Sequence, residues 1–483
     1  MWSGSHSPNG IFAYRFGYGF RYFACVNPAP EVEYGAMKIK FTKTRPKAEV
    51  LIRFVKEHEK GIKGRTMKVP VRSGVPRGIA LRWAAADAYR NVRAIGIRSI
   101  YVKKPPHMEP FKWYLQMYEG FKLAAYSYEG FRDKKDDYDL EVYWQGEHND
   151  LVKKADILVD ATNFTRDLVN TPANVATPEY LKNVAEDLAK KNGYEIRVFG
   201  LPELRKMGMN AFLAVASGSE KEPYLVHLIY KPEGKKARKR IVLVGKALTF
   251  DSGGLSLKTA QGMMTMKIDK AGASAVLGVF HALKKLGVDY EVHGIFAATE
   301  NMPDAKAVHP GDVVKSYSGK SIEILNTDAE GRLTLADALA YAAEQEPDYL
   351  IDLATLTGSA VVALGEFTAA LFTTDNALGH AIMKAGNIAG ERFWHMPIED
   401  PFIREKMKSL VADLKNISGD RWGGSIFAAQ FLREFLPSRI RWAHLDIAGP
   451  VFNVKDWAYN PAGATGFGVR TLLHLLMRTR RKD

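Results

Sequence analysis

A chain of 483 residues, 46% hydrophobic and 25% charged, has the make-up of an ordinary globular protein and the length for roughly two to three domains. No apolar run approaches the ~20 residues that a membrane-spanning helix requires. The single cysteine, Cys25, excludes an intrachain disulfide and a cysteine-built metal site and fits a reducing, cytoplasmic setting. The net charge of +14 invites nucleic acid as a partner. Its two visible clusters, Lys235, Lys236, Arg238, Lys239, Arg240 and then Arg478, Arg480, Arg481, Lys482, read as a solvated loop and a chain end.

Residues 1–36 are rich in Gly, Phe, Tyr and Arg and follow no helical or strand period. They lack the basic start of a signal peptide, and Arg15 and Arg21 interrupt their apolar residues. The expectation is a disordered tail or a mis-assigned start, with Met37 as the natural first residue. Lys38–Lys43 then alternates as a strand. Val50–Phe54 and Ile97–Val102 read as further strands, and Ile79–Val92, Phe111–Tyr126 and Asp150–Val169 as helices. Pro105-Pro106 and the charged run Arg132–Asp139 mark loops. Such alternation predicts an N-terminal α/β domain over 37–155. Residues 156–177 are then a connector helix and loop, stopped by Asn170-Thr171-Pro172, and 178–483 form a larger α/β domain on a mixed, mostly parallel sheet. Its expected strands are Tyr194–Val198, Leu225–Ile229, Ile241–Val244, Tyr290–Ala297, Tyr349–Leu353 and Trp442–Leu445. Its expected helices start at Pro178 and cover Ala271–Leu286, Leu335–Ala343 and Gly424–Phe435.

Three stretches carry chemistry. Gly245-Lys246-Ala247-Leu248-Thr249-Phe250-Asp251-Ser252-Gly253-Gly254 follows a buried-strand run and leads to Lys258; Met266-Lys267-Ile268-Asp269 opens a helix-like run; Asn326-Thr327-Asp328-Ala329-Glu330-Gly331-Arg332-Leu333 ends a strand and starts a helix. Together they offer the carboxylates of Asp251, Asp269, Asp328 and Glu330, two lysines and one arginine. In an open α/β sheet such turns converge at the carboxyl ends of the strands. Crowded carboxylates repel one another unless cations neutralise them, and two divalent ions carry the matching charge. The twelve histidines show no metal-binding spacing, so a metal site here is built from carboxylates.

These stretches, above all Asn326–Leu333, resemble the leucyl or cytosol aminopeptidases. The likeness extends over roughly residues 160–475 through Arg166–Pro172, Glu300–Pro303, Ala354–Gly358 and Trp442–Gly449. It implies a metal-dependent enzyme that removes N-terminal, leucine-like residues from peptides, cytoplasmic and hexameric, with two Mn²⁺ or Zn²⁺ ions per chain. Some bacterial members bind DNA, which leaves open the alternative of a DNA-binding protein with aminopeptidase as an additional or relic activity. By resemblance, Asp251 and Glu330 bridge the metals, Lys246 and Asp269 complete one shell, and Asp328 the other. Lys258 then stabilises the negative charge of the tetrahedral intermediate, and Arg332 holds a bicarbonate that passes a proton to the leaving amine. Met266, Thr355, Gly358 and Ala448 are implied to line the pocket for the N-terminal side chain.

From the residues alone, the alternative for Lys246 is an ion pair with Asp251, and for the four pocket residues ordinary core packing. The chain departs from the family pattern at Ala247, where glycine is usual, at Val451, where some relatives carry a larger pocket residue, and at Lys270, where methionine is common. On a helix Lys270 points about 100° from Asp269, which leaves the ligand intact but adds a cation nearby.

Overall fold

The computed structural model describes residues 37–43, 46–56, 61–63, 65–103, 110–133, 137–234 and 236–477. The tail with Cys25, Pro105-Pro106, Lys235 and the basic end from Arg478 lie outside them. Among the described residues no helix is long and apolar enough to cross a membrane.

Short alternating or apolar segments build the first sheet: β1 (Met37–Thr42), β2 (Val50–Lys56), β3 (Gly61–Lys63), β4 (Thr66–Val71), β5 (Ser99–Val102) and β6 (Leu140–Gln145). Their order is β1-β6-β5-β2-β4-β3, parallel except for the β3–β4 edge. Helices α1 (Arg77–Ala94) and α2 (Pro110–Ala124) pack on it through Ala84, Ala85, Ala88 and Phe121 against Ile52, Val69, Ile100, Val142 and Trp144. The small residues on α1 permit a close crossing: a Cβ on Gly120 of α2 would lie 2.4 Å from the Arg82 carbonyl.

The helix α3 (Asp150–Asn170) joins the two halves. Asn149 caps it, its Oδ1 accepting from Leu151 N at 3.0 Å. Its first turns give Val152, Ala155 and Val159 to the N-terminal core, whereas Leu158, Ala161, Leu168 and Val169 enter the C-terminal core.

Beyond α3 come α4 (Pro178–Asn192), β7 (Glu195–Phe199), α5 (Leu201–Met207), α6 (Asn210–Ala216), β8 (Tyr224–Tyr230) and β9 (Arg240–Asp251). Next are α7 (Ala260–Met263), α8 (Ala271–Leu286), β10 (Glu291–Asn301), β11 (Asp312–Lys315), β12 (Ser321–Ile324), α9 (Gly331–Ala343) and β13 (Tyr349–Ala354). The chain closes with α10 (Gly358–Leu364), β14 (Thr368–Thr373), α11 (Asn376–Ala389), β15 (Arg392–His395), α12 (Pro401–Glu405), β16 (Leu414–Lys415), α13 (Gly424–Arg433), β17 (Trp442–Asp446) and α14 (Val469–Leu476). Eight strands form the large sheet in the order β15-β14-β17-β13-β9-β10-β8-β7. Helices α3, α4, α8, α11 and α14 cover one face and α6, α9 and α13 the other, which is why β9 and β10 are almost wholly buried apolar runs.

The four central strands β17, β13, β9 and β10 run parallel, so Asp446, Ala354, Asp251 and Asn301 end on one side. Ala354 pairs with Asp446, and Asn301 pairs with Asp251 after a bulge. Helix α8 spans the predicted residues, but Asp269 precedes it in a 3₁₀ turn, Met266–Lys270, closed by Ile268 N to Thr265 O at 2.9 Å. Gly272 fixes this arrangement, since a Cβ there would sit 2.1 Å from the Leu353 carbonyl. Of the basic loop, Arg240 pairs with Glu291 at 3.1 Å, and Lys239 donates to Tyr349 Oη at 3.2 Å. Those two charges are tied to the starts of the central strands.

Candidate metal centre

Asp251 closes β9 and turns into Gly253 and Gly254, both at positive φ (88° and 64°). A Cβ on Gly253 would meet the Ser256 carbonyl at 2.5 Å and Asp328 Oδ1 at 2.9 Å, so only glycine lets these loops approach. The loop after β12 is fixed to this turn: Thr327 Oγ1 donates to Gly253 O at 2.7 Å and accepts from Ser256 N at 2.8 Å. Asn301 Nδ2 bridges both loops, donating to Asp251 Oδ1 at 2.8 Å and to Thr327 O at 3.0 Å. Asn416 braces the same loop from β16, its Nδ2 donating to Asn326 O at 2.7 Å. Neither asparagine had a signal in the sequence beyond its place in or near a motif.

The predicted acids and lysines meet. Lys246 Nζ lies 2.9 Å from Asp269 Oδ2, 2.8 Å from Glu330 Oε1 and 3.1 Å from Thr355 O. Lys258 Nζ lies 2.8 Å from Asp251 Oδ2 and also contacts Asp328. The alternative pairing of Lys246 with Asp251 is therefore corrected: Asp251 points across the turn to Lys258, and Lys246 reaches back over Gly331. A Cβ on Gly331 would collide with Lys246 Cε at 2.4 Å.

Burial raises the Asp269 and Asp328 carboxyls, and it pushes Glu330 up to about 8 with help from the Asp251 charge. Burial works against the Lys246 ammonium, yet the carboxylates of Asp269, Glu330 and Asp251 hold it protonated well above its usual range. Lys258 behaves alike, with Asp251 as its main opposing charge. The cluster holds more carboxylate than its lysines neutralise.

Arg332 lies one residue into α9, mostly buried, with Nη1 donating to Asn416 O at 2.5 Å and the guanidinium 5.7 Å from the Phe427 ring. Burial lowers its pKa to about 10, and among the described residues its Nε has no hydrogen-bond partner. Of the expected pocket residues, Thr355 Oγ1 donates to Asp269 Oδ1 at 2.7 Å. Met266 opens the turn that holds Asp269, Gly358 opens α10 with nothing within 4 Å of a Cβ built on it, and Ala448 is half-buried after β17. Val451 is buried in the C-terminal core. Lys270 does not face solvent: Nζ is enclosed and donates to Thr171 O at 3.0 Å and Lys267 O at 2.6 Å. The tight turn, unlike a regular helix, folds that side chain under the end of α3.

The donors fit divalent ions. Asp251, Asp328 and Glu330 each offer an oxygen, all within 4.8 Å of one another, and Glu330 Oε2 is buried without a hydrogen-bond partner among the described residues.

Residues 163–473 match the cytosol aminopeptidase family, catalytic domain. A probable cytosol aminopeptidase of Persephonella marina is 49% identical over 366 residues, 74% of this chain and 73% of the relative. One of Aquifex aeolicus is 45% identical over 401 residues, 82% of this chain and 81% of the relative. A tomato leucine aminopeptidase mutant superposes with a TM-score of 0.82 at 31% identity, covering 93% of this chain and 98% of its own. The bottromycin maturation enzyme BotP in complex with Mn gives 0.80 at 35% identity, covering 89% and 99%. The mixed α/β architecture, the cluster of carboxylates around Lys246 and Lys258 and these likenesses lead to one assignment: the chain belongs to the cytosol aminopeptidase family of metalloexopeptidases.

Proposed function

We propose that this protein removes leucine-like N-terminal residues from peptides, using two divalent ions held by Asp251, Asp269, Asp328, Glu330 and Lys246, whose ammonium would give up its proton beside the ions and bind as the neutral amine. The observation that carries this is the buried, unpartnered Glu330 Oε2, with oxygens of Asp251 and Asp328 within 4.8 Å of a Glu330 oxygen. The ions would supply the positive field that makes a water nucleophilic at neutral pH and polarises the scissile carbonyl. Asp269, held by Thr355, is placed to pair with the free amine of a peptide, which restricts productive binding to chain ends. Lys258 is the cation that stabilises negative charge developing on the carbonyl oxygen, once its pairing with Asp251 and Asp328 is relaxed by the ions. Arg332 is permanently charged and cannot act as a base. Its Nε, buried and without a hydrogen-bond partner among the described residues, supports the role of clamping a small anion such as bicarbonate, which would carry the proton to the leaving amine. Met266, Thr355, Gly358 and Ala448 form the proposed pocket, where a methionine and small residues suit a branched aliphatic group.

The test is hydrolysis of leucine anilide by the purified protein. Activity is expected to vanish on chelation and return with Mn²⁺ or Zn²⁺; activity that survives exhaustive chelation contradicts the proposal.

A further inference from the structure

Asp446 is 1% exposed at the end of β17, and no step above uses it. Its Oδ1 accepts from Leu356 N and from Ala448 N, both at 3.2 Å, and its Oδ2 accepts from Thr357 Oγ1 at 2.7 Å. Those donors belong to two different segments, the turn from β13 into α10 and the turn after β17. They are the two walls that carry Thr355 with Gly358 on one side and Ala448 on the other. Thr357 extends the link, because its Oγ1 also accepts from Ala360 N and caps α10. At the other end of the same turn, Thr355 reaches Asp269 with its hydroxyl and Lys246 with its carbonyl.

From this geometry we infer that Asp446 is the positioning residue that sets the gap between the two walls of the N-terminal side-chain pocket and thereby determines which side chains the enzyme accepts. This rests on the pocket proposed above. A buried carboxylate is costly to desolvate, and here backbone N–H groups and a hydroxyl from both walls hold it. Its removal leaves two N–H groups and a hydroxyl without their acceptor and frees the walls to separate. Misplacement by ~1 Å is enough to cost about a hundredfold in rate. The first consequence falls on discrimination, because one methylene in an apolar pocket is worth only about 10–200-fold. On the Gly358 side a Cβ would meet nothing within 4 Å, so that wall has room to shift.

The experiment compares wild type, Asp446→Ala and Asp446→Asn on leucine and alanine anilides, with metal content and hydrogen exchange at residues 355–360 and 447–449. Asn keeps an oxygen for the two backbone donors and an amide that can donate to Thr357 Oγ1. The expected result for Asp446→Ala is normal metal content, faster exchange in both segments and a leucine-over-alanine ratio in kcat/KM reduced by about tenfold or more. Asp446→Asn is expected to restore most of both. If Asp446→Ala does not fold, Thr357→Val, which removes the shortest of the three bonds together with the cap on α10, must lower the ratio in the same direction. An unchanged ratio with unchanged exchange, or an Asn variant as impaired as Ala, overturns the inference. A wild type that hydrolyses neither anilide refutes the proposed function instead, and the exchange comparison then still decides whether Asp446 joins the walls.

Discussion

Lys270 buries an amine beside the Asp269 turn, donating to carbonyls at the end of α3 and within the turn itself, and burial lowers its pKa to about 7. Lys267 does the same, with Nζ 2.8 Å from Asn170 O. Two effects oppose each other when Lys270 becomes methionine. The carbonyls of Thr171 and Lys267 lose a donor, which costs on the order of 1–3 kcal/mol of stability. The partial positive charge that Lys270 keeps near neutral pH also leaves the neighbourhood of a proposed metal ligand, and burial makes it less screened than a surface one. Lys270→Met should therefore lower the melting temperature while tightening Mn²⁺ binding in titrations of chelated protein. Weaker Mn²⁺ binding would mean that anchoring the turn outweighs the charge. The carboxylates, lysines and arginine of the site were legible because the motif names them one by one. Asn301, Asn416 and Asp446 were not. They are ordinary polar residues, and only the register that sets Asn301 against Asp251 and Asp446 beside Ala354 gives them partners.

Among the elements, the long apolar runs were readable: Ile241–Val244 proved to be the core of β9, and Ala271–Leu286 matches α8. Strand β6 went unassigned although Leu140, Val142 and Trp144 alternate as its buried face. Helix α11 did too, although Leu378, Ile382, Ala385 and Ala389 are buried at helical spacing. The strand edge also holds a polar chain that pattern could not reveal. His227 on β8 lies 2.8 Å from His293 on β10 and 3.0 Å from Tyr341 Oη on α9. Burial, then the charges of His293 and Arg197, lowers the His227 pKa to about 3, against the pull of Glu195. The unfolded chain thus takes up a proton below about pH 6.5 that the folded chain refuses. Stability from this group is full above pH 6.5 and is lost as pH falls towards 3, at about 1.4 kcal/mol per unit. Denaturant unfolding of chelated protein between pH 7 and 4 should show this decline, and His227→Gln should make it shallower. Equal slopes would remove His227 from the explanation.

At the scale of the whole molecule, α3 and two arginines hold the halves together. Arg166 donates to Leu123 O at 2.8 Å, to Thr465 O at 3.1 Å and to Asn460 Oδ1 at 2.8 Å, linking α2 to the last loops of the chain. Arg82 on α1 pairs with Glu119 on α2 at 2.6 Å, both fully buried, and donates to Ile388 O on α11 at 3.0 Å. Glu119→Ala leaves that guanidinium uncompensated, which costs ~3–5 kcal/mol. Chemical denaturation should show a loss of this size; a change under ~1 kcal/mol would mean that solvent reaches Arg82 readily.

The two-ion site is tested most directly by elemental analysis of Glu330→Ala and Arg332→Ala beside their rates on leucine anilide. Glu330→Ala removes a proposed bridging carboxylate and should lose metal, activity and some stability together. Arg332→Ala removes only the proposed anion clamp, so it should keep about two metals per chain while kcat falls by ~10²–10⁴. Added bicarbonate should stimulate the wild type more than this variant. Full metal content in Glu330→Ala, or loss of metal in Arg332→Ala, would contradict the division between ligands and catalysts.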